Sequence, residues 1–133
     1  MTYRTLAKRA LAARRHSHSP FSHFRVGAAL LTRRGEVFTG CNIESSSFGL
    51  TMCAERTALF KAISEGRRSF KALAVATGDT DFTPPCGACR QLILDLAGDI
   101  DCILVRRGGS FKVVKMSDLL PQPFGSHHFS HSG

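Results

Sequence analysis

Three thiols and one carboxylic acid stand in two short runs. Cys53 and Glu55 lie two residues apart in Thr-Met-Cys-Ala-Glu-Arg-Thr-Ala-Leu, and Cys86 and Cys89 occur in Pro-Pro-Cys-Gly-Ala-Cys-Arg-Gln. Three soft ligands without a fourth leave one coordination position for water, and an adjacent acid can carry its proton; together they are the donor set of a catalytic zinc site. A single Cys-x-x-Cys could equally be a redox pair or half of a structural zinc site. Three features weigh against both. A redox pair needs neither Cys53 nor Glu55, a closed structural site wants a fourth Cys or His, and no His lies near either run.

Charge balance extends the set. Three thiolates against Zn²⁺ leave an excess of about one negative charge, which blunts the Lewis acidity that water activation requires. Arg56 directly follows Glu55, and a guanidinium donating hydrogen bonds to the thiolates would offset that excess. Otherwise it is an ordinary surface arginine of a helix. Arg90, one residue after Cys89, is a second candidate for the same duty.

Both runs fall at predicted helix starts. Thr51 opens a helical pattern through Ala54, Thr57, Ala58, Lys61 and Ala62 with Gly66 as its stop, placing Cys53 in the first turn. Pro84-Pro85 leads into a second helix from Cys86 to about Leu96, stopped by Gly98. Helix N-termini carry partial positive charge and unpaired N–H groups, so they favour thiolates. Two helix starts could therefore share one zinc.

The remaining elements must hold those starts together. A first helix is predicted from Thr2, its N-cap, to about Arg14, with Leu6, Ala10, Leu11 and Ala13 on one face. Residues 24–32 and 36–40 read as an antiparallel hairpin turned at Arg33-Arg34-Gly35, and residues 72–76 as a short buried strand. Residues 100–106 and 111–115 are joined by so short a turn, at Gly108-Gly109, that they must pair antiparallel. A last helical turn is expected at 117–120. The alternation implies a layered α/β domain around a five-stranded mixed sheet whose last two strands are antiparallel.

At 133 residues and 14.5 kDa the chain is expected to form one domain over residues 1–125, followed by a short polar tail, residues 126–133. The tail histidines, His127, His128 and His131, read as tail solvation or a cloning remnant rather than metal ligands. No apolar run approaches the ~20 residues of a membrane span, and residues 2–15 lack the apolar stretch of a secretory signal, so a cytoplasmic protein is expected. Five cysteines in such a chain argue for thiols over disulfides. Cys41 and Cys102 fall in strand-like runs and read as small buried hydrophobes. The net charge of +8 invites a nucleic-acid partner, but the arginines come as separate doublets, 14–15, 33–34, 67–68 and 106–107, near element ends where solvated charge belongs.

At this point the residues resemble the homotetrameric, zinc-dependent cytidine deaminases, nearly end to end. The resemblance is carried by Phe24-Arg25-Val26-Gly27-Ala28-Ala29-Leu30, Gly40-Cys41-Asn42-Ile43-Glu44, Cys53-Ala54-Glu55-Arg56-Thr57-Ala58-Leu59, Pro85-Cys86-Gly87-Ala88-Cys89-Arg90-Gln91, and Leu119-Leu120-Pro121 followed by Phe124, in that family's order and spacing. It implies a three-layer α/β/α fold and one zinc per chain, held by Cys53, Cys86 and Cys89. In this reading Glu55 carries protons between the activated water, N3 of the cytosine ring and the departing amino group. The products are ammonia and uridine, or 2′-deoxyuridine from 2′-deoxycytidine, in pyrimidine salvage. The Ala54 N–H would hold the ring O2, Asn42 and Glu44 would clamp the ribose, and Phe24, with Phe124 from a neighbouring chain, would wall the pyrimidine.

Taken alone, Asn42 is a strand-terminating turn residue and both phenylalanines are ordinary core residues. The chain departs from the family at Phe21 and Phe48, where many relatives have tyrosine. Phe48 bears on the sugar's 5′-hydroxyl and Phe21 on tetramer contacts. Three rivals stand beside this reading. A nucleic-acid editing deaminase would typically place a helix between the last two strands and a histidine at position 53; a deaminase of a cytosine-containing antibiotic would not need the Asn42 and Glu44 pair; and a zinc-binding module without turnover would not need Glu55. The expected partner is a small nucleoside, with neither membrane nor nucleic acid involved.

Overall fold

The computed structural model describes residues 1–85 and 87–120, apart from the side chain of Phe48. Phe124, the predicted tail and Cys86 lie outside those residues. The predicted five strands are present as β1 (Gly27–Thr32), β2 (Val37–Cys41), β3 (Phe70–Ala76), β4 (Asp101–Val105) and β5 (Phe111–Lys115). They form one sheet in the order β2-β1-β3-β4-β5, in which only β3 and β4 run parallel. Among the described residues four α-helices flank it: α1 (Tyr3–Ala13), α2 (Ala54–Ser64), α3 (Gly87–Ala97) and the single turn α4 (Met116–Leu119).

Side-chain alternation assigns the layers. Ala28, Leu30, Leu73, Val75, Cys102 and Leu104 point into a core with α2, α3 and α4, whereas Ala29, Leu31, Ala72, Ala74, Ala76, Ile103 and Val105 pack against α1. A period of two on strands covered on both faces gives the three-layer α/β/α arrangement. α3 lies within the connection from β3 to β4, which is why that pair can be parallel. β4 and β5 are joined across Arg106 to Ser110, with Gly108 and Gly109 both at φ near +90°, as the short turn requires.

Two glycines set how closely the helices approach. A Cβ on Gly27 would stand 2.1 Å from the Ala10 carbonyl oxygen, and one on Gly40 would stand 2.6 Å from the Ala58 nitrogen. Thus α1 lies on β1 and α2 on β2 at backbone contact, which fixes the start of α2 relative to the sheet.

The boundaries differ from the sequence reading for identifiable reasons. The buried face of α1 is Leu6, Ala7, Ala10 and Ala13; Leu11 lies one step round the helix, its methyl 3.5 Å from where a Gly109 Cβ would sit. β1 begins at Gly27 rather than residue 24, because the Asn42 side chain bonds the Phe24 carbonyl and the Val26 N–H in place of ladder partners. α2 starts at Ala54, not Thr51. Met52 exchanges two backbone bonds of 2.9 Å with Ile43, holding the chain extended, and Cys53 becomes the N-cap at φ −72° and ψ 152°. No helix among the described residues is long and apolar enough to cross a membrane.

Candidate active site

The start of α2 supplies three adjacent groups. Cys53 caps the helix, Ala54 is its first residue with an N–H that has no intrahelical acceptor, and Glu55 follows, 4% exposed. Arg56 folds back one turn to donate from Nη2 to the Cys53 sulfur at 3.4 Å. The start of α3 supplies Cys89, its third residue, fully buried. Cys89 acts on the same two partners, since it shifts the titration of both Glu55 and Arg56.

Electrostatics follow from this crowding. Burial pushes the Glu55 carboxyl up to about 7; its own backbone N–H opposes the rise, the Cys53 sulfur adds to it, and Cys89 and Arg56 oppose it. The hydrogen bond to Cys53, with the charge of both sulfurs, holds Arg56 protonated above its ordinary range. Cys102 lies in the core below, where burial and then the Glu55 charge raise its thiol to about 12. It remains a neutral packing residue, as its place in a strand suggested.

The donor chemistry fits a zinc ion. Two sulfurs are gathered by one guanidinium whose Nε is buried without a hydrogen-bond partner among the described residues, a cationic lining suited to thiolates that carry excess negative charge. The described residues contain no group of three metal-ligating side chains; the third predicted thiol, Cys86, immediately precedes α3. Arg90 does not join this set. It donates to the Pro85 carbonyl at 2.6 Å and the Leu119 carbonyl at 2.9 Å, bracing the loop before α3 against α4.

A cavity of about 300 Å³ opens over the site, the lower end of the usual range for small-molecule pockets. Glu55, Ala54 and Cys53 line it together with Phe24, Val26 and Asn42, and residues 83–85 close one side. Five predicted site residues (Phe24, Asn42, Cys53, Ala54 and Glu55) thus share one cavity. Phe48 belongs to a single 3-10 turn, Phe48–Leu50. Glu44 is not among the lining residues.

Asn42 and Glu44 are each largely committed to the protein. Asn42 Oδ1 accepts from the Val26 N–H and the Ser17 hydroxyl, and Nδ2 donates to the Phe24 carbonyl. One amide N–H is left over. Glu44 Oε1 accepts from the N–H groups of Phe21 and Ser22, and Oε2 from the Ser22 hydroxyl. These bonds, Ser22's first, hold its carboxyl below the ordinary range, so Glu44 is an ionised acceptor with one place left on Oε2. The sequence reading had passed over Ser17 and Ser22. The local signal for them is slight: two serines on either side of Pro20, a residue that ends helices.

Comparison with known proteins gives a consistent result. Residues 1–105 match the family model of the cytidine and deoxycytidylate deaminase zinc-binding region. The chain is 48% identical to a cytidine deaminase of Halalkalibacterium halodurans, over 93% of this chain and 95% of that one. It is 45% identical to a cytidine deaminase of Sporosarcina psychrophila, over 90% and 89%. The crystal structure of a cytidine deaminase from Burkholderia pseudomallei superposes with a TM-score of 0.90 at 45% identity, covering 93% of this chain and all of that one.

Proposed function

Because the chain belongs to the cytidine and deoxycytidylate deaminase family, we propose that it hydrolyses cytidine and 2′-deoxycytidine to uridine and 2′-deoxyuridine. Water replaces the exocyclic amine, which leaves as ammonia. The observation that carries this reading is a buried carboxyl, Glu55, between two thiols at the floor of a nucleoside-sized cavity.

Zinc, one per chain and held by Cys53, Cys86 and Cys89, would supply the Lewis acidity that makes water a nucleophile at neutral pH. Glu55 takes one proton from the attacking water and delivers it to N3 of the ring, then takes the second from the hydroxyl now on C4 and passes it to the amino group as it leaves. Burial suits it to this work, because a carboxyl that holds a proton near neutral pH can both accept and return it. Arg56 offsets the thiolate charge. The Ala54 N–H, lacking a helical partner, donates to the ring O2.

Sugar reading falls to Asn42 and Glu44. Their spare capacity is one N–H donor and one carboxylate acceptor, which a single hydroxyl satisfies by accepting from the first and donating to the second. A clamp that reads one hydroxyl would admit both cytidine and 2′-deoxycytidine if that hydroxyl is not the 2′. In this reading Phe24 packs on the pyrimidine, Phe124 of a neighbouring chain would be its second wall, and Phe48 would bear on recognition of the sugar's 5′-hydroxyl. Assembly into a homotetramer is supported by large apolar residues left in solvent near the cavity, Phe21 at 50% and Leu50 at 74% exposed. The tight antiparallel β4–β5 hairpin favours a free nucleoside over a nucleic acid. A site built on thiolates fits the reducing cytoplasm, and the reaction fits pyrimidine salvage.

Ammonia release and the absorbance fall on converting cytidine to uridine test the proposal directly. Zinc-loaded protein that turns over neither cytidine nor 2′-deoxycytidine would refute it and leave a zinc-binding module.

A further inference from the structure

Three hydrogen bonds join the two sugar-reading candidates through a third side chain. Asn42 Nδ2 donates to the Phe24 carbonyl at 2.7 Å, the Phe24 N–H donates to Ser22 Oγ at 3.0 Å, and the Ser22 hydroxyl donates to Glu44 Oε2. The direction of the last bond follows from chemistry: an ionised carboxylate can only accept, so the single hydroxyl proton of Ser22 is spent on Glu44 and its oxygen is left for Phe24. The backbone is shaped for this. His23, between the two bonded residues, is the one non-glycine residue at positive φ among those described, at 58°, and its N–H closes on the Ser19 carbonyl at 3.0 Å. A conformation of that kind costs energy and persists only where surrounding bonds hold it.

The two carboxylate oxygens of Glu44 are not equivalent. Oε1 is saturated by two backbone N–H groups, so only Oε2 can take a substrate hydroxyl, and Ser22 is its sole protein partner among the described residues. We propose that Ser22 is the positioning residue for sugar recognition: its hydroxyl orients Oε2 of Glu44 and ties that oxygen to the backbone of Phe24, so that sugar reading and ring packing are set by one rigid unit. This rests on the reading of Asn42 and Glu44 as the sugar clamp. Removing the Ser22 hydroxyl leaves the bonds to Oε1 and the Asn42 half of the chain intact, but frees Oε2 to solvent and breaks its link to Phe24.

The test compares kcat/KM for cytidine, 2′-deoxycytidine and 3′-deoxycytidine in the wild type, Ser22→Ala, Ser22→Cys and Ser22→Thr, with thermal unfolding of each. The wild type is expected to lose roughly 10- to 100-fold when one of the two hydroxyls is removed, the cost of leaving a charged acceptor unpaired. In Ser22→Ala and Ser22→Cys that ratio is expected to shrink to within about threefold, mainly through a weaker KM for the full substrate, and Ser22→Thr to restore it. A hydroxyl-free variant that folds and keeps the wild-type ratio overturns the role of Ser22 while leaving the clamp standing. A wild type indifferent to both hydroxyls overturns the clamp itself, and the inference with it. Failure of both hydroxyl-free variants to fold would make Ser22 a folding residue and refute the inference as well.

Discussion

Arg56 reaches back one helical turn to place Nη2 3.4 Å from the sulfur of Cys53, and the charge of Cys89 acts on the same guanidinium. One side chain therefore spans the thiols contributed by two different helix starts. Replacing Arg56 with Gln, which cannot supply the charge, should lower zinc affinity or kcat/KM by roughly 10- to 100-fold, the usual cost of losing such a partner. Competition with a chromophoric chelator alongside steady-state kinetics would measure both.

Glu55→Gln should separate metal binding from proton transfer. The variant is expected to keep its zinc and lose about 10²- to 10⁴-fold in kcat; near-normal turnover would remove Glu55 from the mechanism. A second consequence concerns folding of the metal-free protein. The Glu55 carboxyl is raised to about 7 by burial, so its charged form opposes folding. Stability is fully present below the unfolded value of about 4.3 and declines as pH rises to about 7. Metal-free Glu55→Gln should therefore gain more in thermal midpoint over the wild type at pH 8 than at pH 5.

Chelation should abolish turnover, and added zinc should restore it. Since Cys53 and Cys89 stand at separate helix starts, zinc held as proposed should also raise the thermal midpoint in a concentration-dependent way. Unchanged melting with and without zinc would argue against a site that bridges α2 and α3.

Far from the cavity, Tyr3 donates to Asp101 at 2.6 Å and Lys115 pairs with the same carboxylate at 2.9 Å. The Tyr3 bond, then that from Lys115, lowers the Asp101 carboxyl, so its contribution is present above the unfolded value near 3.9 and is lost as pH falls through the lower folded value. Burial, then Asp101, raises the Tyr3 phenol to about 12; its contribution is present below about 10 and is lost as pH rises through about 12. Tyr3→Phe should lower the thermal midpoint by about 2–4 °C at pH 7, with the difference vanishing in strong acid.

Gly40→Ala should be costly although it adds one methyl. The new Cβ would stand 2.6 Å from the Ala58 nitrogen and 2.7 Å from the Ala54 carbonyl oxygen, both backbone atoms of α2 that cannot rotate away. A loss of at least about 2 kcal/mol is expected, together with reduced activity, because the same shift displaces Cys53 and Glu55. Chemical denaturation and kinetics would show the two effects together.

Local chain chemistry determined much of this protein. The Cys53-Ala54-Glu55-Arg56 run, the Cys-x-x-Cys, the Gly66 and Gly98 stops and the Gly108-Gly109 turn act through neighbours a few residues away, so types and spacing were enough to read a thiol site at two helix starts and an antiparallel final hairpin. Only the tertiary structure decided the rest, because it depends on bonds between distant segments. The bridge from Ile43 to Met52 delays α2 and turns Cys53 into its cap; Arg90 is drawn to the Pro85 and Leu119 carbonyls instead of the thiols; and Ser22, unremarkable in sequence, holds Glu44 from 22 residues away. A hydrogen bond needs its partner within about 3 Å, and no spacing along a chain says which distant group folding will bring that close.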